Sequence, residues 1–110
     1  MLLLREKDKK EIERLAKLAI KTPSQIWAYG SRVNGDAHDT SDLDLVIVTD
    51  DEATLDIDEL LDFREYLQKS NIPILIQVLV WNRIPKSFHT NILENYEVLV
   101  EVAKKPQLQV

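Results

Sequence analysis

The 110-residue chain contains no cysteine, which excludes disulfides and thiolate metal sites and fits the cytoplasm, where we place it. No apolar run approaches the roughly 20 residues of a membrane span, and the charged N-terminus lacks the apolar block of a signal peptide. No membrane partner is expected. There is no internal repeat and no low-complexity tract. Bases are scarce where acids crowd: from Asp36 to Glu65 the one base is Arg64. A surface of that sign repels nucleic acid, which argues against a polymerase or terminal transferase and predicts no direct nucleic-acid partner. Elsewhere Arg5, Lys7, Lys9, Lys10, Arg14, Lys17 and Lys21 interleave with Glu6, Asp8, Glu11 and Glu13. That pattern reads as the solvated face of a helix, with i, i+4 pairs Lys7 to Glu11 and Glu13 to Lys17.

With 45% apolar residues the chain can bury one modest core. We expect a single domain over residues 1–105 and a C-terminal tail over 106–110. Ile12, Leu15, Ala16 and Ala19 keep the i, i+3, i+4, i+7 spacing of one helical face, and Thr22-Pro23 ends that helix. Strands follow at Gln25 to Tyr29 and Leu43 to Val48. Ile57, Leu60, Leu61, Arg64 and Leu67 mark a crossover helix reaching Lys69, closed by Ser70-Asn71. The nearly continuous apolar run Ile74 to Trp81 predicts a strand covered on both faces, in the interior of the sheet. Pro85 suits the first turn of a last helix running to Asn95, with Phe88, Ile92 and Tyr96 at four-residue steps. Glu97 to Val102 predicts a short edge strand with Val98, Val100 and Val102 on one face. Helices and strands alternate around one sheet, an α+β or α/β arrangement.

The chemistry-bearing stretch is Gly30-Ser31, ten residues, then Asp42-Leu43-Asp44. Gly-Ser closes one strand and Asp-x-Asp opens the next. Alternate residues of a strand share a face, so Asp42 and Asp44 stand together with Leu43 turned away. Two carboxylates that close repel unless a proton or a cation lies between them. Mg2+ suits the pair, because it takes one or two protein carboxylates and completes its octahedron with water and phosphate oxygens. Gly30 lets the backbone approach a bulky anion, and Ser31 offers a hydroxyl and an amide at the start of a short helix, where amides attract phosphate.

Trp27-Ala28-Tyr29-Gly30-Ser31-Arg32 followed by Ser41-Asp42-Leu43-Asp44-Leu45-Val46 resembles the minimal nucleotidyltransferases (MNT) of the DNA polymerase beta superfamily. Small members of that family pair with HEPN proteins as toxin and antitoxin. The resemblance implies an α+β nucleotidyltransferase fold, a mixed β-sheet with helices packed against it. It also implies a nucleoside triphosphate held at Gly30 and Ser31, and Mg2+ held by the catalytic pair Asp42 and Asp44. ATP as donor, AMP transfer to a tyrosine of a HEPN-type partner, and a homo- or hetero-oligomer belong to the same implication. A chain of this length has room for a donor site and little for a separate acceptor-binding domain, so recognition of the acceptor is expected from a partner or an oligomer interface.

The family pattern places a third acid on a later strand, and here that strand offers Gln77. A neutral amide cannot take a proton from an acceptor hydroxyl at physiological pH. Its carbonyl oxygen can meet a metal, or the amide can satisfy a buried backbone group; Glu65 and Glu94 are the acids that could substitute. A second function follows from Gln77: a catalytically degenerate binding module that neutralises its partner by occlusion. Arg32 has two readings, a phosphate contact or a carboxylate partner that keeps the turn in shape. Ser41 either caps the turn or touches the triphosphate. His38 and His89 read more simply as solvated residues than as metal ligands. Trp27 and Trp81 suit packing better than stacking on a base.

Overall fold

The computed structural model describes residues 2–35, 42–50 and 53–102. The first helix, α1 (Glu6–Ala19), buries Ile12, Leu15, Ala16 and Ala19, the face anticipated from their spacing. On its solvated side Lys17 pairs with Glu13 at 3.2 Å, whereas Glu11 takes Arg14 at 2.6 Å instead of Lys7. The acid-before-base order along a helix is favoured by the helix dipole, and Lys7 to Glu11 runs the wrong way. Strand β1 (Ser24–Tyr29) then leads through Gly30 into a single-turn helix, α2 (Ser31–Asn34), which Gly35 ends at φ 91°.

Strand β2 (Leu43–Thr49), helix α3 (Ile57–Lys69) and strand β3 (Ile76–Val80) form a crossover unit, with β2 and β3 parallel. A 3-10 turn (Trp81–Arg83) leads into α4 (Lys86–Glu94), and β4 (Tyr96–Val102) closes the sheet. The strand order is β3-β2-β1-β4, with β1 antiparallel to both neighbours. The sheet is therefore mixed and the class is α+β, as the alternation of elements predicts.

Each face of the sheet has its own cover. Ile26, Ala28, Leu43, Leu45, Ile47, Val78 and Val80 pack with α1 and α3, where Ile12 and Phe63 are fully buried. The opposite face gathers Tyr29, Val46 and Ile92, with Trp27, Val48, Leu79, Trp81 and Ile84 packed against them.

Two expectations about strands are corrected. The apolar run Ile74 to Trp81 predicts an interior strand, but β3 is an edge. Its hydrophobicity reflects cover on both faces, because Val78 and Val80 meet one cluster and Leu79 and Trp81 the other. Burial of two faces does not require a neighbour on each side. The free edge is blunted from α3, where Arg64 Nη2 donates to the Val78 carbonyl at 2.6 Å. In β4, Val98 does not share a face with Val100 and Val102. A register shift opposite Ile26 and Trp27 pairs those residues with Val100 and Val98 and leaves Leu99 as the extra residue. Leu99 and Val100 are both buried and Val98 is exposed. Tyr96, expected on the line of Phe88 and Ile92, instead begins β4.

A carboxylate with no role assigned from sequence ties these layers together. Glu59 completes a capping box with Asp56 at the start of α3. It also accepts from Thr22 N at 2.9 Å, from the Thr22 hydroxyl at 2.8 Å and from the Lys21 amide, so it clamps the α1–β1 turn to α3. Burial opposes its ionisation, but hydrogen bonds from Lys21, Thr22 and Asp56 outweigh that and hold the carboxyl below its ordinary value. Replacing Glu59 with Ala should cost about 1–3 kcal/mol in denaturant unfolding. A depressed folded pKa contributes stability in full above the unfolded value of about 4.3, and loses it as pH falls through the folded value. The stability gap between the native chain and Glu59→Gln should therefore close below about pH 4; a gap constant with pH contradicts the clamp.

Candidate functional site

The register of β1 on β2 builds the site. Tyr29 pairs with Asp44, so the next residue, Gly30, turns away directly beside the Asp44 side chain. Gly30 has φ 83° and ψ −155°, a region that L side chains avoid. A Cβ at that position would stand 2.6 Å from Asp44 Oδ2. Glycine is thus required twice, by its backbone angles and by the carboxylate packed against it. Ser31 begins α2 half-buried, and Val33 N returns to Gly30 O at 3.0 Å. Gly35 is different: a Cβ there would meet nothing within 4 Å, and only its positive φ demands glycine.

Leu43 is fully buried in the α1/α3 core, which turns Asp42 and Asp44 to the other face. Asp42 is exposed and Asp44 half-buried. Burial raises the Asp44 carboxyl above its ordinary value, and the charge of Asp42 raises it further. Tyr29, beneath, is pushed up to about 12 by burial and by Asp44, so its hydroxyl stays neutral. Both shifts report the same physics: negative charge is gathered where water is partly excluded. A proton or a cation relieves it. The fit to a cation is carried by the two same-side carboxylates, one of which, Asp44, lies against Gly30.

Gln77 arrives from β3 opposite Asp44, on the same side of the sheet as Leu79. Its Nε2 lies 3.5 Å from Asp42 Oδ2, at the outer limit of hydrogen bonding. Side chains singled out from two separate segments, Asp42 and Asp44 in one and Gln77 in the other, are therefore neighbours. The two alternative acids go elsewhere. Glu65 pairs with Lys69 at 2.7 Å on the exposed side of α3, and Glu94 is exposed at the end of α4. Among the described residues no group of three or more His, Cys, Asp or Glu side chains is arranged to hold a metal.

Arg32 is 6% exposed, and its Nη1 donates to the Leu3 carbonyl at 2.8 Å while Leu3 N donates to Arg32 O. These bonds tie the short helix to the N-terminal segment, in keeping with a part in holding the turn. Ser41 and His38 lie outside the described residues. Trp27 stacks on Tyr96 with ring centroids 4.2 Å apart and meets Trp81 edge-on at 5.4 Å. His89 stacks on Trp81 at 3.7 Å, and its Nε2 is 2.7 Å from the Trp81 carbonyl oxygen. These aromatics fasten α4 over one half of the face, apart from the exposed Asp42 and Gln77. Sequence reasoning assigned no role to Tyr29. Its place immediately before Gly30 was the available signal, since a residue there must share the Asp44 side of the sheet.

A family model for polymerase beta nucleotidyltransferases matches residues 10–105. The probable protein adenylyltransferase MntA of Haemophilus influenzae is 35% identical over 79 residues, spanning 72% of this chain and 68% of the relative. A chain in a crystal structure of a toxin-antitoxin with AMP-PNP superposes with a TM-score of 0.66, covering 91% of this chain and 76% of its own length. At 18% identity that likeness bears on the fold alone. On the match across residues 10–105 and the similarity to MntA, the chain belongs to the polymerase beta nucleotidyltransferase family, as one of its minimal, MNT-type members.

Proposed function

We propose that this chain transfers AMP from ATP to an acceptor hydroxyl on a protein partner, and that it serves as the antitoxin of a HEPN-type toxin. The observation that carries the reading is the close approach of Asp44 to Gly30, which sets the anion-accepting turn and the carboxylate pair side by side. The similarity to a protein adenylyltransferase supports AMP as the transferred group and a protein as its acceptor.

The reaction is in-line attack of the acceptor oxygen on the α-phosphate, with pyrophosphate leaving and the hydroxyl proton lost to a base. Asp42 and Asp44 would hold Mg2+, whose positive charge would offset the negative charge developing on the triphosphate. Gly30 carries no side chain, which leaves the Asp44 carboxylate its place beside the turn, and the Ser31 amide and hydroxyl would orient the triphosphate. Leu43 in the core and the Tyr29–Asp44 register fix the carboxylates before any ligand arrives, and such preorganisation is where most of the catalysis in phosphoryl-type transfer resides. Arg32 holds the turn through Leu3.

A second reading has its own observation: Gln77, not an acid, stands beside Asp42. A chain that binds the nucleotide and its partner without turnover would neutralise the toxin by occlusion.

Two experiments test these readings. In calorimetry with Mg-ATP, Asp42→Asn and Asp44→Asn should each weaken binding at least tenfold. Asp44→Asn should leave the thermal midpoint of the ligand-free chain unchanged or higher, since it removes a half-buried charge. Undiminished affinity in both variants would falsify the metal assignment. With a HEPN partner, Mg2+ and ATP labelled in the α-phosphate, label should appear on the partner, and Gln77→Asp should raise the rate. Toxin neutralised with no label transferred would establish occlusion.

A further inference from the structure

This inference rests on the nucleotide-binding reading above and concerns how many cations that site takes. Sites that hold two divalent ions for phosphoryl chemistry keep them about 3.5–4 Å apart, and ions so close need several anionic ligands to offset their repulsion. Here the protein contributes two carboxylates, from Asp42 and Asp44, and a neutral amide from Gln77. The amide is also turned the wrong way to be a ligand. Its Nε2 points at Asp42 Oδ2 from 3.5 Å, and an amide nitrogen donates hydrogen bonds without binding cations. Rotating the amide would offer its carbonyl oxygen, but a neutral oxygen adds no charge to offset the repulsion between two ions. Gln77 therefore leaves the site one anionic ligand short of what a third carboxylate would supply. Asp44 offers no substitute, because its Oδ2 packs at the edge of Gly30.

We propose that Asp42 and Asp44 take up a single divalent cation together with the nucleotide, and that Gln77 excludes a second. The chemical consequence is a division of labour. The ion that accompanies the triphosphate is retained, while the ion that would make an acceptor hydroxyl more acidic is missing. Activation of the acceptor then falls to groups outside these three side chains. Gln77 is exposed, so its substitution leaves the core untouched.

Electron paramagnetic resonance with Mn2+ reads the count directly. One equivalent of the chain and one of α,β-methylene ATP, which cannot be cleaved at the α-phosphate, receive two equivalents of Mn2+. The native chain should leave about half of the Mn2+ in solution as the free six-line signal, with the remainder giving the spectrum of an isolated ion. Gln77→Glu, which keeps the side-chain shape and adds a charge, should consume the free signal and produce a spin-coupled pair; Gln77→Asp serves as a second variant. A coupled pair in the native chain overturns the inference while leaving nucleotide binding intact. A single ion in both acidic variants overturns the role of Gln77. Failure of the native chain to bind the analogue at all, seen separately by calorimetry, removes the functional reading and this inference with it.

Discussion

The close approach of the Asp44 carboxylate to Gly30 is the constraint on which the site depends. It is produced by backbone pairing, because β1 and β2 are antiparallel in the register that sets Tyr29 opposite Asp44. A shift of one residue would turn Asp44 into the α1/α3 core and bring Leu43 to the surface. Leu43, Leu45 and Ile47 are fully buried, so the hydrophobic effect resists that slip: exposing one such side chain costs about 1.5–3 kcal/mol. The placement of two charges in one opening is thus stabilised by three apolar neighbours that never touch a ligand.

The two faces of the sheet separate stability from chemistry. One face carries the main core with α1 and α3, and Glu59 locks that layer to the α1–β1 turn. The other face is shared. At one end α4 is held by Ile92 and by the rings of Trp27, Trp81 and His89; at the other, Asp42 and Gln77 face solvent. Aromatic packing beside the opening lowers the local dielectric around Tyr29 and Asp44 without closing access. That arrangement strengthens whatever electrostatic contact a ligand makes there, and it is why the Asp44 carboxyl resists ionisation when alone.

Much of this was legible in the sequence, for definite reasons. The boundaries of α3 follow from apolar spacing and from a break at Ser70, and those of β1 and β2 from short apolar runs between polar turns. The meeting of Asp42 and Asp44 follows from the period of a strand, and that of Gln77 from its being the polar residue in an apolar run. The position of β3 in the sheet was not legible. An apolar run reports burial of faces, whereas edge or interior is decided by hydrogen bonding along the margin, which Arg64 satisfies from another element. The bulge at Leu99 escaped for a similar reason: alternation assumes unbroken pairing, and one added residue reverses which side chains share a face. The Glu59 clamp escaped because its partners, Lys21 and Thr22, are distant in sequence and two of the three bonds come from backbone amides, which every residue but proline has.

Gln77 makes sense as a balance of charge. A carboxylate in its place would stand about 4 Å from Asp42, and two unit charges at that separation repel by roughly 1 kcal/mol under water-like screening and about 4 kcal/mol at the effective dielectric of a protein surface. Asp42 is exposed, which favours the smaller figure, but Asp44 is half-buried and already difficult to ionise. A third acid would deepen that difficulty in the absence of metal and reward a second ion in its presence. The amide reverses both effects. It lowers the strain of the ligand-free site, it steadies Asp42 through one long hydrogen bond, and it leaves two negative charges, the number that a single divalent cation neutralises.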